Sequence, residues 1–255
     1  MEIFCVSVCT VSLTCSENLY QNMHKLDDKL RGFVQKHCAN YDASHDISHI
    51  DRVRSNALKI LSLSSASVQI VVKRDVLVAI ATLHDSFDHK YLTTKELVDE
   101  AKMNVTKFLK ELQFDEQTIR MIIEVIDKMG FTSEVSGCGG NDHDSVLTQY
   151  LHIVQDADRL DAIGAIGISR CLAFSGAFNR PIISEFGTDE KAQRDAYTEN
   201  ALGPVSRKGG SAITHFYDKL VFLKDMLKTP AGKQLGEKRH AFLLLFLDEF
   251  FDELN

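Results

Sequence analysis

Apolar side chains recur every three or four residues along most of this 255-residue chain, and this spacing constrains its fold more than any other feature. Such recurrence is typical of an amphipathic α-helix, whereas the period-two alternation of a half-buried strand is not found in the sequence. The prolines, Pro181, Pro204 and Pro230, all lie past residue 180, so the first two thirds are free to form long helices. The sequence therefore predicts an all-α fold.

The predicted helices span about 16–36, 46–63, 68–84, 93–112, 115–129, 145–174, 211–227 and 231–254. The sixth of them could break near Asp156. Thr93 is predicted to cap the fourth, in a capping box with Glu96. Residues 179–210 are polar and long for a loop, so we interpret them as a functional lid or a partly ordered segment. Because no Pro/Ser-rich linker divides the chain, we predict one domain over 19–255, after a loosely ordered extension at 1–18.

Composition limits the partners of the chain. A net charge of −7 argues against a nucleic-acid-binding surface, although a small phosphorylated substrate needs only a local basic pocket. The six cysteines form no CxxC pair, which favours reduced thiols. No apolar run reaches the roughly 18 residues of a membrane span, and the apolar N-terminal run lacks a basic region before it. We expect a cytoplasmic protein without a membrane or nucleic-acid partner, and a nuclear location stays open.

The pair His84-Asp85 closes an apolar run at 76–83, at the predicted end of a buried helix. An imidazole and a carboxylate are costly to bury unless something offsets their lost hydration. A divalent cation would do so, since neutral imidazole nitrogen and ionised carboxylate oxygen are both metal ligands. The pair therefore predicts a site whose other ligands lie elsewhere in the chain.

Two other polar clusters could supply those ligands. His45 and His49 are four positions apart and share one helix face or its entrance, although His49 taken alone could equally be a core histidine bonded to backbone. Asp156, Asp158 and Asp161 lie within six positions beside an apolar helical sequence. Helix capping and the helix dipole explain one or two of these acids but not easily all three.

The order His49, His84-Asp85, Asp158 resembles the H…HD…D signature of the HD-domain metal-dependent phosphohydrolases. The flanking residues match as well, in His49-Ile-Asp-Arg-Val, Ala-Thr-Leu-His84-Asp85 and Ala-Asp158-Arg-Leu. The phrase DADRLDAIGAIGI at 156–168 looks like that of a compact bacterial and fungal subfamily, as do segments 84–90 and 215–220. The resemblance covers most of the chain, from the first long helix to the last.

This resemblance implies an HD-domain helical bundle in which three helices converge on one divalent metal. The metal-binding core would lie at about 40–175 and C-terminal helices at 211–254. The implied ligands are His49, His84, Asp85 and Asp158. Two imidazoles and two carboxylates leave room for water in an octahedral shell, which suits Mn, Mg, Co, Ni or Fe better than a closed tetrahedral zinc site. Such a metal activates water and polarises a phosphoryl oxygen.

Other residues are candidates for supporting roles, and each could instead be a solvated charge. Asp88 lies one turn beyond His84 and, with the ligand Asp85, could orient or deprotonate the attacking water. Asp161 and Asp46 are candidates for holding ligands from behind, and Asp161 could instead pair with Arg159. Lys90, Lys219 and Arg170 are candidates for neutralising phosphate oxygens of the substrate. His45 with Asp46 is a candidate for binding the substrate or for supporting a ligand. The pair Arg239-His240 resembles a family position for which the residues suggest no role.

The leading functional hypothesis is hydrolysis of a small nucleotide, with a nucleoside triphosphate pyrophosphohydrolase as the specific prediction. A nucleotide monophosphatase or a cyclic phosphodiesterase is the alternative within this class, because the metal site would be common to all three. A di-iron oxygenase would need His143 or His152 as extra ligands, and one metal is favoured because one ion suffices for hydrolysis. A non-catalytic nucleotide-binding sensor is a third class. The oligomeric state stays open, with a homodimer as one alternative.

Overall fold

A computed structural model of the protein describes residues 25–37, 46–88, 92–129, 145–184, 188–198 and 210–254. Within these ranges the chain is helical apart from short connections and contains no β-strand, which confirms the predicted all-α class. The extension predicted at 1–18 lies outside the described residues.

The helices are numbered here in chain order. Helix α1 covers 25–37, α2 Ile47–Leu63, α3 Ala66–Val71, α4 Arg74–Leu83, α5 Lys95–Glu111, α6 Glu116–Asp127, α7 Val146–Asp161, α8 Gly164–Ala177, α9 Thr188–Thr198, α10 Ala212–Asp218 and α11 Pro230–Asp252. A 3₁₀ turn at Leu220–Phe222 separates α10 from α11.

Several helices begin at a side chain that accepts a hydrogen bond from the first turn. Asp115 caps α6, and Ser145 caps α7. Such caps satisfy backbone N–H groups that have no partner inside the helix. The predicted cap of α5 is wrong by one residue, because Thr94 rather than Thr93 precedes this helix and accepts from the backbone of Leu97.

Two predicted helices are each divided in the structure. The helix predicted at 68–84 is interrupted between α3 and α4, where the backbone N–H of Lys73 donates to the hydroxyl of Tyr150 at 2.7 Å. The helix predicted at 145–174 breaks at 162–163, not near Asp156, and its two halves are bent by 71°. Gly164 follows the break with a φ of +73°, which favours glycine.

The C-terminal part of the chain also differs from the prediction in detail. Helix α9 lies within the segment 179–210 that was predicted to be irregular, and the helix predicted at 211–227 is the short α10 followed by a 3₁₀ turn. Among the described residues, no single helix is long and apolar enough to cross a membrane. Helices α7 and α8 would reach that length and apolar composition only if counted together, and they are bent by 71°.

Helix α4 forms the centre of the core. It packs against α2, α6 and α7, and its residues 76–83 are all buried. A helix that is apolar on every face must be enclosed by its neighbours, which explains this central position. Helix α2 also packs along α7, so α2, α4 and α7 contact one another in pairs. The polar residues at the ends of these three helices are therefore brought together.

Candidate metal centre

Three helices position the four predicted ligands. His49 lies in the first turn of α2, whose start is fixed by Asp46, because the carboxylate of Asp46 accepts from the backbone N–H of His49 at 2.9 Å. His84 and Asp85 directly follow α4, and Asp158 lies in the last turn of α7. Asp46 thus acts locally, since it caps the helix that carries the predicted ligand His49.

The side chains of the four predicted ligands lie close together. The Nε2 atom of His49 lies 3.4 Å from a carboxylate oxygen of Asp85 and 3.6 Å from one of Asp158. The Nε2 atom of His84 lies 3.3 Å from Asp85 and 4.0 Å from the same oxygen of Asp158. The two imidazole nitrogens and the Asp158 carboxylate are therefore within reach of one small cation, and the Asp85 carboxylate lies beside both imidazoles.

The surroundings of His84 also fit a divalent metal. The Nδ1 atom of His84 lies 3.0 Å from the carbonyl oxygen of Ala81, which can accept only if Nδ1 carries the proton. The Nε2 atom on the other side of the ring faces the predicted ligands, and within the described part of the chain this buried atom has no hydrogen-bond partner. Buried polar atoms rarely lack a partner, and a metal ion would supply one. Ligand atoms of His49, His84 and Asp158 all lie within 4.8 Å of one another.

The second nitrogen of His49 is held by a buried network. Its Nδ1 atom lies 2.7 Å from Oδ2 of Asp161, which is itself almost fully buried. Arg52 donates to both oxygens of Asp161, at 2.6 and 3.0 Å, and Arg170 donates to Oδ2 at 3.0 Å. Burial disfavours the charged form of Asp161, but the hydrogen bonds from His49 and Arg52 outweigh it and hold the carboxyl pKa at about 2.

The contact with Asp161 raises the pKa of His49, just as it lowers the pKa of Asp161. Burial lowers the pKa of its imidazole, but the hydrogen bonds to Asp161 and Asp85 and the charge of Asp158 raise that pKa to about 9. Without a metal, the imidazole therefore carries a proton at neutral pH. A metal that binds at Nε2 has to displace this proton.

Comparisons with known proteins fit this geometry. No family model matches the chain. YpgQ of Bacillus subtilis is 30% identical over 230 residues, which cover 88% of this chain and 91% of YpgQ. A solved structure of an HD-superfamily hydrolase from Bacillus thuringiensis has a TM-score of 0.61 and 27% identity, covering 91% of this chain and 97% of that one. The chain belongs to the HD superfamily. The crystal structure of YpgQ in complex with ADP has a TM-score of 0.62 and 26% identity, covering 89% and 97% of the two chains.

Within this HD-superfamily fold, the three acids of segment 156–161 have separate positions. Asp158 and Asp161 share one face of α7, the first beside the two histidines and the second behind His49. Asp156 is fully buried on a different face and accepts from the backbone N–H of Lys228 at 2.9 Å and from the backbone and hydroxyl of Thr229 at 2.7 Å each. It therefore stabilises the start of α11 and does not cap its own helix.

The predicted substrate-binding residues are distributed differently. Lys219 follows α10 and lines a small recess together with Asp158, Arg159 and Gln155. Arg170 donates to Asp161, which lies behind His49. His45 and Lys90 lie outside the described residues.

The remaining predicted residues lie as follows. Asp88 is partly buried in the turns after α4, and its backbone N–H donates to the carbonyl of Asp85 at 3.1 Å. His152 lies on α7, but among the described residues it does not belong to the group that could hold a metal ion. His143 lies outside the described residues. Asp161 pairs with Arg52 and Arg170 and not with Arg159, whose guanidinium donates to the carbonyl of Met226.

Two residues without a predicted role contribute to the site. Arg52 was part of a matching phrase, and its position three residues after His49 places both on one helix face. Arg239 of α11 donates to the carbonyl of Leu160 and, at 3.1 Å, to the side chain of Asn56, so it joins α7 to α2. The matching phrase and the helical spacing from His49 could both have suggested Arg52, whereas the resemblance of Arg239 to a family position gave no indication of its contacts with α7 and α2.

Proposed function

We propose that the protein is a metal-dependent phosphohydrolase that acts on a small nucleotide. The observation that supports this most is the convergence of His49, His84 and Asp158, with Asp85 beside both histidines, next to a recess that contains Lys219. The specific reaction we propose is cleavage of a nucleoside triphosphate by water into the monophosphate and pyrophosphate. A cytoplasmic location, where such nucleotides occur, is part of the same proposal.

The four ligands would hold one divalent ion, with Mn, Mg, Co, Ni or Fe as candidates. When bound, such an ion lowers the pKa of a water molecule and polarises a phosphoryl oxygen. Asp85 and Asp158 supply the negative charge that favours a cation over a neutral ligand. The Asp158 side chain is 43% exposed, so this side of the centre is open to a substrate.

The surrounding residues have distinct proposed roles. Asp88 directly follows the ligand turn and would orient or deprotonate the attacking water. Lys219 lines the recess next to Asp158, where its ammonium would neutralise a phosphate oxygen. His45 and Lys90 keep their predicted role in binding substrate, and their sequence neighbours Asp46 and Asp88 lie close to the ligands along the chain.

A nucleotide is supported as the substrate by the solved complex of YpgQ with ADP. That complex does not define the bond that is cleaved here, because monophosphatase, phosphodiesterase and pyrophosphohydrolase reactions would share the same metal ligands. The products distinguish them. Pyrophosphate is released only by cleavage between the α and β phosphates, whereas a phosphatase releases orthophosphate.

The test is a screen of the purified protein with Mn²⁺, Co²⁺, Ni²⁺ or Mg²⁺ against nucleoside mono-, di- and triphosphates and cyclic nucleotides. Pyrophosphate and orthophosphate are measured separately. We expect metal-dependent pyrophosphate release from triphosphates, which Asp85→Ala abolishes and which Asp99→Ala, a change of an exposed acid on α5, leaves unchanged. Orthophosphate as the first product would contradict the proposed bond. Nucleotide binding without either product would contradict the enzyme and favour a sensor.

A further inference from the structure

We infer that Arg52 is a positioning residue for the metal ligand His49, acting through Asp161. The inference rests on the proposed metal centre and does not depend on which phosphate bond is cleaved. Arg52 holds the carboxylate of Asp161 in the orientation that accepts from Nδ1 of His49. The Nε2 atom of His49 is thereby directed at Asp85 and Asp158.

The geometry of the Arg52–Asp161 pair is that of a fork. Nε of Arg52 lies 2.6 Å from Oδ1 of Asp161, and Nη2 lies 3.0 Å from Oδ2. Two parallel hydrogen bonds fix both the position and the plane of a carboxylate, which one bond cannot do. Because Oδ2 is also the atom that His49 contacts at 2.7 Å, the plane of the carboxylate sets the direction of the imidazole.

Oδ1 of Asp161 accepts its hydrogen bond from Arg52. Oδ2 has three donors, namely His49, Arg52 and Arg170, whereas Arg52 is the donor seen for Oδ1 among the described residues. The Asp161 side chain is only 2% exposed while Arg52 covers it, so the orientation of Oδ1 is set by Arg52 and not by water. Without Arg52 the carboxylate would be free to turn about the contacts that Oδ2 keeps.

The chain positions of these residues make the arrangement a cross-link between helices. His49 and Arg52 are one turn apart on α2, and both contact Asp161 at the end of α7. Arg170 of α8 donates to the side chain of Asp161 and, at 3.2 Å, to its backbone carbonyl. Arg170 therefore secures the end of α7 across the bend, while Arg52 aligns the carboxylate with the histidine.

A lysine could not replace Arg52 fully. An ammonium is a single point of charge, whereas a guanidinium presents donors in a rigid plane that matches a carboxylate. Arg52→Lys would keep the charge beside Asp161 and lose the fork. The comparison of Arg52→Lys with Arg52→Gln therefore separates orientation from charge.

The experiment measures the binding of Mn²⁺ alone, without nucleotide. The concentration of free Mn²⁺ is determined from its electron paramagnetic resonance signal. The variants are Arg52→Gln, Arg52→Lys and, as a matched control on the same helix, Arg54→Gln. Arg54 pairs with Asp51 and Asp27 at 3.5 and 3.9 Å, away from the ligands. Thermal unfolding of every variant is followed in parallel, so that a change in affinity can be compared with a change in stability.

We expect the Kd for Mn²⁺ to rise about tenfold or more in Arg52→Gln and less in Arg52→Lys, and to stay unchanged in Arg54→Gln. In the metal-free protein, a downfield proton resonance of the His49 Nδ1–H should be present in the control and be lost or shifted in Arg52→Gln. If Arg52→Gln fails to fold, Arg52→Lys carries the test. An Mn²⁺ affinity within twofold of the unchanged protein in the folded Arg52 variants would overturn the inference. Absence of Mn²⁺ binding by the unchanged protein would overturn the metal centre itself, whereas Mn²⁺ binding without nucleotide hydrolysis would contradict only the proposed function.

Discussion

Asp161 accepts a hydrogen bond from Nδ1 of His49 at 2.7 Å, although 112 positions separate the two residues. This contact leaves Nε2 of His49 for the other acids, at 3.4 Å from Asp85 and 3.6 Å from Asp158. Asp158 and Asp161 are three positions apart on α7, so one helix face carries both a proposed ligand and the residue that contacts another proposed ligand, His49. The alignment of α2 with α7 is therefore part of the site, and not only of the core.

Metal binding is expected to release a proton from His49. The pKa of this imidazole is raised to about 9, so it is protonated at pH 7 before the metal binds and cannot be protonated at Nε2 afterwards. Mn²⁺ affinity should therefore increase with pH up to about 9 and then level off. Calorimetric titration at pH 7, in two buffers with different ionisation enthalpies, should show about one proton released per ion.

The control for proton release is Asp161→Asn, which removes a negative charge beside His49 and so lowers the pKa of its imidazole. Proton release at pH 7 should be smaller in this variant. A titration of the unchanged protein that releases no protons at pH 7 would contradict the protonation of His49.

Asp161 is expected to contribute to acid unfolding of the metal-free protein. Its carboxyl pKa falls from the ordinary 3.8 to about 2, so its contribution to stability is complete above pH 3.8 and is lost as the pH falls through 2. A shift of this size corresponds to about 2 kcal/mol. The free energy of unfolding, measured by urea denaturation at pH 4 and pH 2, should therefore decrease by about 2 kcal/mol less in Asp161→Asn than in the unchanged protein. Equal decreases in the two proteins would show that Asp161 titrates normally.

Asp156 is expected to matter for stability without being a ligand. Its buried carboxylate accepts from Lys228 and Thr229 at the start of α11, and Gly232 in the first turn lies so close that a Cβ there would collide with the carboxylate. Replacement by alanine leaves those buried donors without a partner, which should cost about 2–4 kcal/mol in the free energy of unfolding. Mn²⁺ affinity of the folded variant should stay near that of the unchanged protein. The control is Asp99→Ala, which replaces an exposed acid. If Asp156→Ala lowers the free energy of unfolding no more than Asp99→Ala does, the stabilising role of Asp156 is contradicted.

The fold was predictable where a local signal determines it. The apolar spacing predicts α2 and α7, and the caps Asp115 and Ser145 define the starts of α6 and α7. The positions of the breaks were not predicted correctly, and distant residues contact the chain at both of them. Lys73 at the break before α4 donates to Tyr150, and Gly164 after α7 lies against Arg239, where an added Cβ would be 3.0 Å from the Cβ of that arginine.

The same division holds for the candidate centre. The positions of His49, His84 and Asp158 follow from a motif, and these three residues do converge in the structure. The contacts behind them depend on packing between α2, α7 and α8, which a pattern along one chain does not encode. For this reason the sequence suggested a substrate role for Arg170, whereas the structure places its guanidinium 3.0 Å from Asp161.

The most direct test of the metal centre is a crystal structure of the protein grown with Mn²⁺, with anomalous scattering measured at a wavelength that locates manganese. We predict one strong anomalous peak per chain, at about 2.0–2.3 Å from Nε2 of His49, Nε2 of His84 and a carboxylate oxygen of each of Asp85 and Asp158. The Nδ1 atom of His49 should remain bonded to Asp161. A peak elsewhere, two peaks bridged by Asp85, or no peak despite Mn²⁺ in the crystal would contradict a single metal held by these four residues.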